Sequence, residues 1–277
     1  GWDVTILPVN SNGNVEPESV LEAITDKTVL VSVMHANNEI GTIQPVSQIG
    51  QICKENNVLF FVDACQTYGK LEIDINKMNI DLLATTAHKL YGPKGVGFLF
   101  VRQKNPKVNI EMQIDGGGHE KGLRSGTLPV PLIVGFGKAA KISLEKRESE
   151  YTILKNLRDS LFHGIKKQQP DVIVNGNIKS GLSHNLNLCF PGLDSESLIM
   201  KMKGIACSAG SACSSANLEP SHVIKALGRN NELALSAIRF SVGRFNTIDE
   251  IDSAVIEINS AVNRIKSSKQ KRRRTNF

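Results

Sequence analysis

Short apolar runs separated by polar or glycine-containing turns dominate the first half of the chain. Residues 28–34, 58–62, 81–85 and 96–101 are apolar along most of their length instead of alternating. That is the pattern of strands covered on both faces, and it predicts buried strands of a mainly parallel sheet. Residues 3–7 are also strand-like. Between two of the strands, residues 46–56 carry Ile49, Ile52 and Cys53 at helical spacing, which gives a strand, helix, strand unit and an α/β architecture. In such sheets chemistry collects beyond the carboxyl ends of the strands. Those ends are residues 35–39, 63–66 and 86–89, and the three are expected to converge on one site.

From about residue 140 the pattern changes to a long charged helix, strand candidates at 172–175 and 186–190, a helix near 195–203 and a strand at 237–242. A smaller α+β domain is expected there. In the last helix Thr247 and Glu250 form a capping-box pattern, and Ile251, Val255, Ile258, Val262 and Ile265 share one face, so this helix packs against a core. The division expected is a large domain over 1–140, a small one over 141–265 that carries a cysteine-bearing loop, and a basic tail over 266–277.

Composition narrows the function classes. With 277 residues, 40% hydrophobic and 22% charged, the chain has the make-up of a globular protein. The net charge of +6 comes from Lys266, Lys269, Lys271, Arg272, Arg273 and Arg274, without which 27 basic residues face 27 acidic ones. A neutral body with a short basic tail argues against a nucleic-acid-binding face. No apolar run approaches the roughly 18–20 residues that span a membrane, and the N-terminus lacks the order of a signal peptide. The five cysteines are odd in number and sparse, which fits a reducing compartment better than a disulfide framework. The chain opens on Gly1, not Met, and is expected to be a fragment that lacks upstream sequence.

Candidate chemistry begins with His88 and Lys89, which follow an apolar strand and precede the Gly92-Pro-Lys-Gly95 turn. A lysine placed there can face a cavity, where desolvation lowers its pKa and permits a Schiff base; a solvated loop lysine is the alternative. Asp63 ends an apolar strand and needs a positive partner if buried. A protonated pyridine nitrogen is one such partner, and an ordinary helix-capping role is the other reading. Residues 92–97 lack the Lys-Ser/Thr ending and following helix of a nucleotide-binding loop. Gly116-Gly-Gly118 with Arg124-Ser-Gly-Thr127 offers backbone amides and a hydroxyl to a phosphate, or is a flexible surface loop. Cys213 sits in a run of small residues, 207–216, suited to a mobile loop that presents a thiol. Cys207 and Cys213 lack zinc-finger spacing, and the histidines are scattered, so no intrinsic metal site is expected.

Seven runs then occur together: His35-Ala-Asn-Asn-Glu-Ile-Gly41, Val62-Asp-Ala-Cys-Gln66, Ala87-His-Lys-Leu-Tyr-Gly-Pro-Lys-Gly95, Gly116-Gly-Gly-His-Glu120, Arg124-Ser-Gly-Thr127, Gly210-Ser-Ala-Cys-Ser-Ser-Ala216 and Ile238-Arg-Phe-Ser-Val-Gly-Arg244. In order and approximate spacing they resemble the NifS and IscS type of cysteine desulfurase, among the class V aminotransferase-like enzymes that use pyridoxal 5'-phosphate (PLP). The resemblance covers nearly the whole chain. It implies an aspartate aminotransferase-like large domain, incomplete at its N-terminus, and a smaller α+β domain. It implies that Lys89 holds PLP, that Asp63 pairs with the pyridinium nitrogen, and that Gln66 and Asn38 hydrogen-bond near the ring oxygen. Thr86 and His88 would contact the phosphate and its surroundings. Thr127 would reach the phosphate bound by a partner subunit, which implies a homodimer. Arg239, with Asn38 beside it, would bind the substrate carboxylate, a task suited to a planar bidentate donor.

In that scheme L-cysteine becomes L-alanine and its sulfur passes to Cys213 as a persulfide, with His88 or the cofactor assisting thiol ionisation. The implied acceptor is a protein such as an iron–sulfur scaffold, and the implied metal contact is a transient iron–sulfur cluster at the Cys213 persulfide. The expected location is cytoplasmic, or a mitochondrial matrix or plastid in a eukaryote. The chain departs from the family at Thr86-Ala87, where Ser-Gly is usual, and lacks the family's upstream phosphate-binding segment and ring-stacking histidine. Other readings are a selenocysteine lyase, another PLP enzyme of this fold, or a catalytically silent fragment acting as a dimerisation or binding module.

Overall fold

The computed structural model describes residues 1–209 and 219–275, with side chains through residue 269. The chain forms two compact units, one made of Pro17–His35 and Gln44–Arg147, the other of Gly1–Glu16, Ala36–Ile43 and Glu148–Phe277.

The first unit contains α1 (Pro17–Ala23), β1 (Leu30–Met34), α2 (Val46–Glu55), β2 (Leu59–Asp63), β3 (Leu82–Thr86) and β4 (Gly97–Val101). The strands form one sheet in the order β1-β2-β3-β4, with β1, β2 and β3 parallel and β4 antiparallel to β3. All four lie within two residues of the runs that predict them, but the expected burial holds only for β2 and β3; the outer strands β1 and β4 contain no buried residue, since each has a neighbouring strand on one side alone. Phe60 and Val62 are fully buried in β2, and α2 buries Val46, Ile49 and Cys53. At the amino end of β3, Asp81 accepts from the amide of Phe60 at 3.0 Å and pairs with Arg102 at 3.1 Å, so a carboxylate in this core is both hydrogen-bonded and charge-paired.

A 39-residue helix, α3 (Val130–Gln168), leads from the first unit into the second. It starts ten residues before the charged pattern does, because its first turns are apolar and bury Phe136 and Ala139.

The second unit contains β5 (Ile173–Asn175), β6 (Asn185–Cys189), α4 (Ser195–Lys201), β7 (Ser208–Ala209), α5 (His222–Ala226), α6 (Asn231–Leu235), β8 (Ala237–Ser241) and α7 (Ile248–Thr275). Its sheet runs β5-β6-β8-β7 and is antiparallel throughout. One core gathers Leu157, Leu161 and Ile165 of α3, Leu188, Ile238 and Phe240 of the sheet, and Ile258 and Val262 of α7. A smaller one joins Ile40, Cys189, Ile224, Leu227 and Ala237. The capping box before α7 is present in both directions, Thr247 N–H to Glu250 at 3.0 Å and Glu250 N–H to the Thr247 hydroxyl at 3.3 Å.

Three expectations change. Residues 3–7 form no strand, and Val4 and Ile6 are more than three-quarters exposed. The helix predicted from residue 247 does not stop at the basic tail but continues to Thr275. The chain is also not divided once near residue 140: Gly1–Glu16 and Ala36–Ile43 group with the C-terminal part. The reason for the second segment is physical, since its carbonyl oxygens accept from side chains of β6 and β8.

Candidate functional site

In the first unit β3 ends at Thr86 and the chain enters a single 3₁₀ turn, Ala87–Leu90. In such a turn residues three apart eclipse. Ala87 and Leu90 are therefore buried together, packing on Phe136 and Ala139 of α3. His88 and Lys89, between them, are left exposed and half-buried respectively. Tyr91 closes the turn in the left-handed region at φ 64°. At the following Gly92 an added Cβ would lie 2.9 Å from the carbonyl oxygen of Ala87, so a side chain there would push the lysine turn out of place. The Thr86 hydroxyl lies 2.9 Å from Nδ1 of His88, which fixes the ring.

The adjacent parallel strand β2 ends at Asp63, in register with Met34 and Ala84. Its carboxylate accepts the amide of Cys65 at 2.8 Å and opens a turn that places Gln66, half-buried, beyond the strand end. The Cys65 thiol is pushed up to about 11 by burial, by a hydrogen bond to Asp63 and by that group's charge, with Lys89 acting the other way. Lys70, later in the same turn, is lowered to about 8 by burial and by the charge of Lys89. Asp63, Cys65, Lys70 and Lys89 thus share one electrostatic neighbourhood. His35, one residue beyond β1, is 4% exposed, its Nδ1 has no hydrogen-bond partner among the described residues, and burial lowers its pKa to about 4.

Thr127 lies in the same unit, exposed, just before α3. The loop leading to it braces itself. Ser125 is buried and accepts the amide of Gly118 at 3.1 Å, and Gly126 N–H donates to His119 Nδ1 at 3.3 Å. Two of the glycine amides offered to an anion, those of Gly118 and Gly126, are therefore already used inside the loop.

In the second unit Asn38 is held in a tight loop whose Asn37 side chain accepts from the amides of Glu39 and Ile40 at 2.8 and 3.0 Å. Gly41 turns the chain at φ 72°. Arg239 on β8 donates from Nη1 to the Asn38 carbonyl at 2.8 Å. Glu39 accepts from the Ser221 hydroxyl at 2.7 Å; burial raises its carboxyl, opposed by that hydrogen bond and by the charges of His222 and Arg239.

The structure thus groups Asp63, Gln66, Thr86, His88 and Lys89 at the carboxyl end of one sheet, and Asn38 with Arg239 in the second unit. Cys213 lies outside the described residues. Reading the sequence missed Cys65, Lys70, Glu39, Ser221 and Asn187. Cys65 stands inside a quoted run, and Asn185 and Asn187 alternate with leucines in β6, so a period of two was available as a signal. Lys70 gave none.

This donor set fits PLP: an amine for its aldehyde, a carboxylate for its ring nitrogen, amides and hydroxyls for its oxygens. The orphaned buried Nδ1 of His35 at the same strand ends fits a polar ligand as well. The fold is that of a PLP-dependent transferase, a mainly parallel-sheet unit with a lysine-bearing turn and an antiparallel α+β unit. More narrowly, the chain belongs to the class-V aminotransferase family, whose pattern, Aminotransferase class-V, matches residues 1–254. It is 48% identical over 266 residues to "Cysteine desulfurase IscS" of Ehrlichia chaffeensis, which covers 96% of this chain and 65% of that protein. It is 50% identical over 270 residues to "Cysteine desulfurase, mitosomal" of Trachipleistophora hominis, covering 96% and 61%. A solved "NIFS-LIKE PROTEIN" superposes with TM-score 0.86 at 34% identity, covering 95% of this chain and 69% of that one. A NifS-like protein from Rickettsia africae gives 0.84 at 29% identity, covering 93% and 69%. The chain spans less than two thirds of the length of these two curated relatives.

Proposed function

We propose that the protein containing this chain is a cysteine desulfurase that converts L-cysteine to L-alanine and passes the sulfur to Cys213 as a persulfide. The observation that carries this reading is the neighbourhood of Asp63 and Lys89 around the Cys65 thiol, at the carboxyl ends of adjacent strands, in a chain 48% identical over 96% of its length to a cysteine desulfurase.

When bound, PLP supplies an electron sink for the bonds of the substrate α-carbon. Lys89 would hold the cofactor through Nζ, and the same nitrogen would move the proton of the substrate α-carbon. Asp63, anchored by the Cys65 amide, would pair with the positive charge of the ring nitrogen. By the family resemblance, Gln66 would hydrogen-bond near the ring oxygen, and the same role is proposed for Asn38. Thr86 fixes His88 through Nδ1, which leaves Nε2 to carry a proton to or from the reacting sulfur. Arg239, already tied by Nη1, presents its remaining N–H groups to the substrate carboxylate. The Cys213 thiolate would attack the substrate sulfur to form the persulfide S–S bond, while the carbon–sulfur electron pair stays on the β-carbon, which takes up a proton to become the methyl group of alanine.

Thr127 is proposed to contact the phosphate bound by a second subunit, and an iron–sulfur scaffold or another thiol-bearing protein is the proposed acceptor. A reducing compartment, the cytoplasm or an organelle matrix, is supported by the free thiols of Cys53, Cys65, Cys189 and Cys207.

The test is the visible spectrum of the protein with PLP, before and after L-cysteine, with alanine and sulfide assayed together. The expected result is a cofactor band absent in Lys89→Ala, and cysteine-dependent alanine. Cys213→Ser should keep the band and lose sulfur transfer; loss of the band in that variant would count against the assigned role.

A further inference from the structure

The second unit's sheet carries a polar rung of which the proposed reaction uses only Arg239. The cross-strand partners Asn175 and Asn187, Asn187 and Arg239, and Ser208 and Arg239 lie opposite one another on β5, β6, β8 and β7. Directly opposed residues share a face, so Asn175, Asn187, Arg239 and Ser208 form one row across the sheet. Asn175 and Asn187 are 2% and 1% exposed, and a buried amide is costly unless its donors and acceptors are matched.

The matching here has a direction. Arg229 Nε donates to Asn175 Oδ1 at 3.3 Å, and Asn175 Nδ2 donates to Asn187 Oδ1 at 2.8 Å. Asn187 Nδ2 donates to the Glu39 carbonyl at 3.2 Å. Because the Asn187 oxygen is taken by Asn175, its amide cannot flip without breaking two bonds, and its N–H is aimed at the loop. The next carbonyl back, that of Asn38, accepts Arg239 Nη1 at 2.8 Å. Asn185 Nδ2 reaches the same carbonyl only at 3.5 Å, and its Oδ1 is buried without a partner among the described residues, so Asn187 is the better tether.

We propose that Asn187 is a positioning residue for the substrate-carboxylate site, holding the Asn38–Glu39 backbone so that Arg239 keeps one guanidinium nitrogen tied and its planar guanidinium in one orientation. The proposal rests on the reading of Arg239 as the carboxylate ligand. Untied, the arginine samples several rotamers, and the loss falls on substrate capture more than on the chemical step.

The test uses the complete cofactor-loaded protein. Asn187→Asp keeps the shape and the bond from Asn175 but turns an oxygen on the Glu39 carbonyl. The expected result is a KM for L-cysteine raised about tenfold with kcat within about twofold. The dissociation constant of L-alanine, read from the cofactor spectrum without turnover, should rise by the same factor, with the band itself unchanged. Asn175→Ser, which frees the Asn187 amide to turn, should raise both about threefold and serves if Asn187→Asp does not fold. A normal KM and normal alanine binding in a folded variant at either position, with Arg239→Ala impaired, would overturn the positioning role and leave the function standing. If Arg239→Ala also binds both ligands normally, the carboxylate reading itself fails. Equal loss of kcat and of the cofactor band would mark Asn187 as merely structural and also overturn the proposal.

Discussion

Arg239 and Asn38, 201 positions apart in sequence, are joined by a hydrogen bond of 2.8 Å from Nη1 to the backbone carbonyl. A guanidinium with one nitrogen anchored has less freedom to lose when it binds a planar carboxylate. Arg239→Ala should therefore raise KM for L-cysteine about a hundredfold, the loss of two charge-assisted hydrogen bonds of roughly 1.5 kcal/mol each. Arg239→Lys should recover only part of this, since a point charge lacks the fork. Steady-state kinetics on both variants measure it, and a KM within threefold of wild type would remove Arg239 from the site.

Cys65 lies beside the proposed cofactor lysine yet is held protonated, its thiol pushed up to about 11 by burial and by Asp63. An ordinary thiol has a pKa of about 8.5. Alkylation of Cys65 at pH 8 should be about a hundredfold slower than that of an exposed cysteine peptide, and should speed up about tenfold per pH unit towards pH 10. Peptide mass spectrometry after timed iodoacetamide treatment reads this directly. Rapid labelling at pH 8 would show that the thiol is not enclosed by that carboxylate.

His35 titrates at about 4 in the folded chain, against 6.5 when free. Between these values the unfolded chain binds more protons than the native one, so the sign is fixed. Stability is fully present above pH 6.5 and is lost as pH falls through about 4, by on the order of 3 kcal/mol from this group. Urea unfolding at pH 7, 5.5 and 4.5 should show a steeper loss in wild type than in His35→Gln. Parallel losses would mean that other groups govern acid sensitivity.

Gly50 lies inside α2, where alanine normally gains about 1 kcal/mol of helix propensity. Here an added Cβ would sit 2.0 Å from the carbonyl oxygen of Met78, a backbone atom that cannot step aside. Gly50→Ala should therefore destabilise the protein by at least about 2 kcal/mol, measured as a lower urea midpoint with an unchanged slope. A stabilised variant would show that α2 and the 74–80 segment are packed less closely.

What the sequence determined by itself was the set of elements. The apolar runs 28–34, 58–62, 81–85 and 96–101 mark four strands, but only β2 and β3 are substantially buried, because β1 and β4 are the outer strands of their sheet and contain no buried residue. The capping box at Thr247 and Glu250 marks the start of α7, because its two bonds close within four residues. The chemistry-bearing residues at strand ends, Asp63 and Lys89 above all, were legible for the same local reason, together with the seven motif runs.

Tertiary structure decided what depends on contacts distant along the chain. It put residues 36–43 with the second unit, since their carbonyls bond Asn187 and Arg239 nearly 150 and 200 positions away. It left residues 3–7 without a strand partner, so their apolar pattern produced no strand. It also surrounded the Cys65 thiol with Asp63 and Lys89, and lined up Asn175, Asn187, Arg239 and Ser208 in one rung. Strand register and burial set those neighbours, and neither is written in the spacing of any single segment.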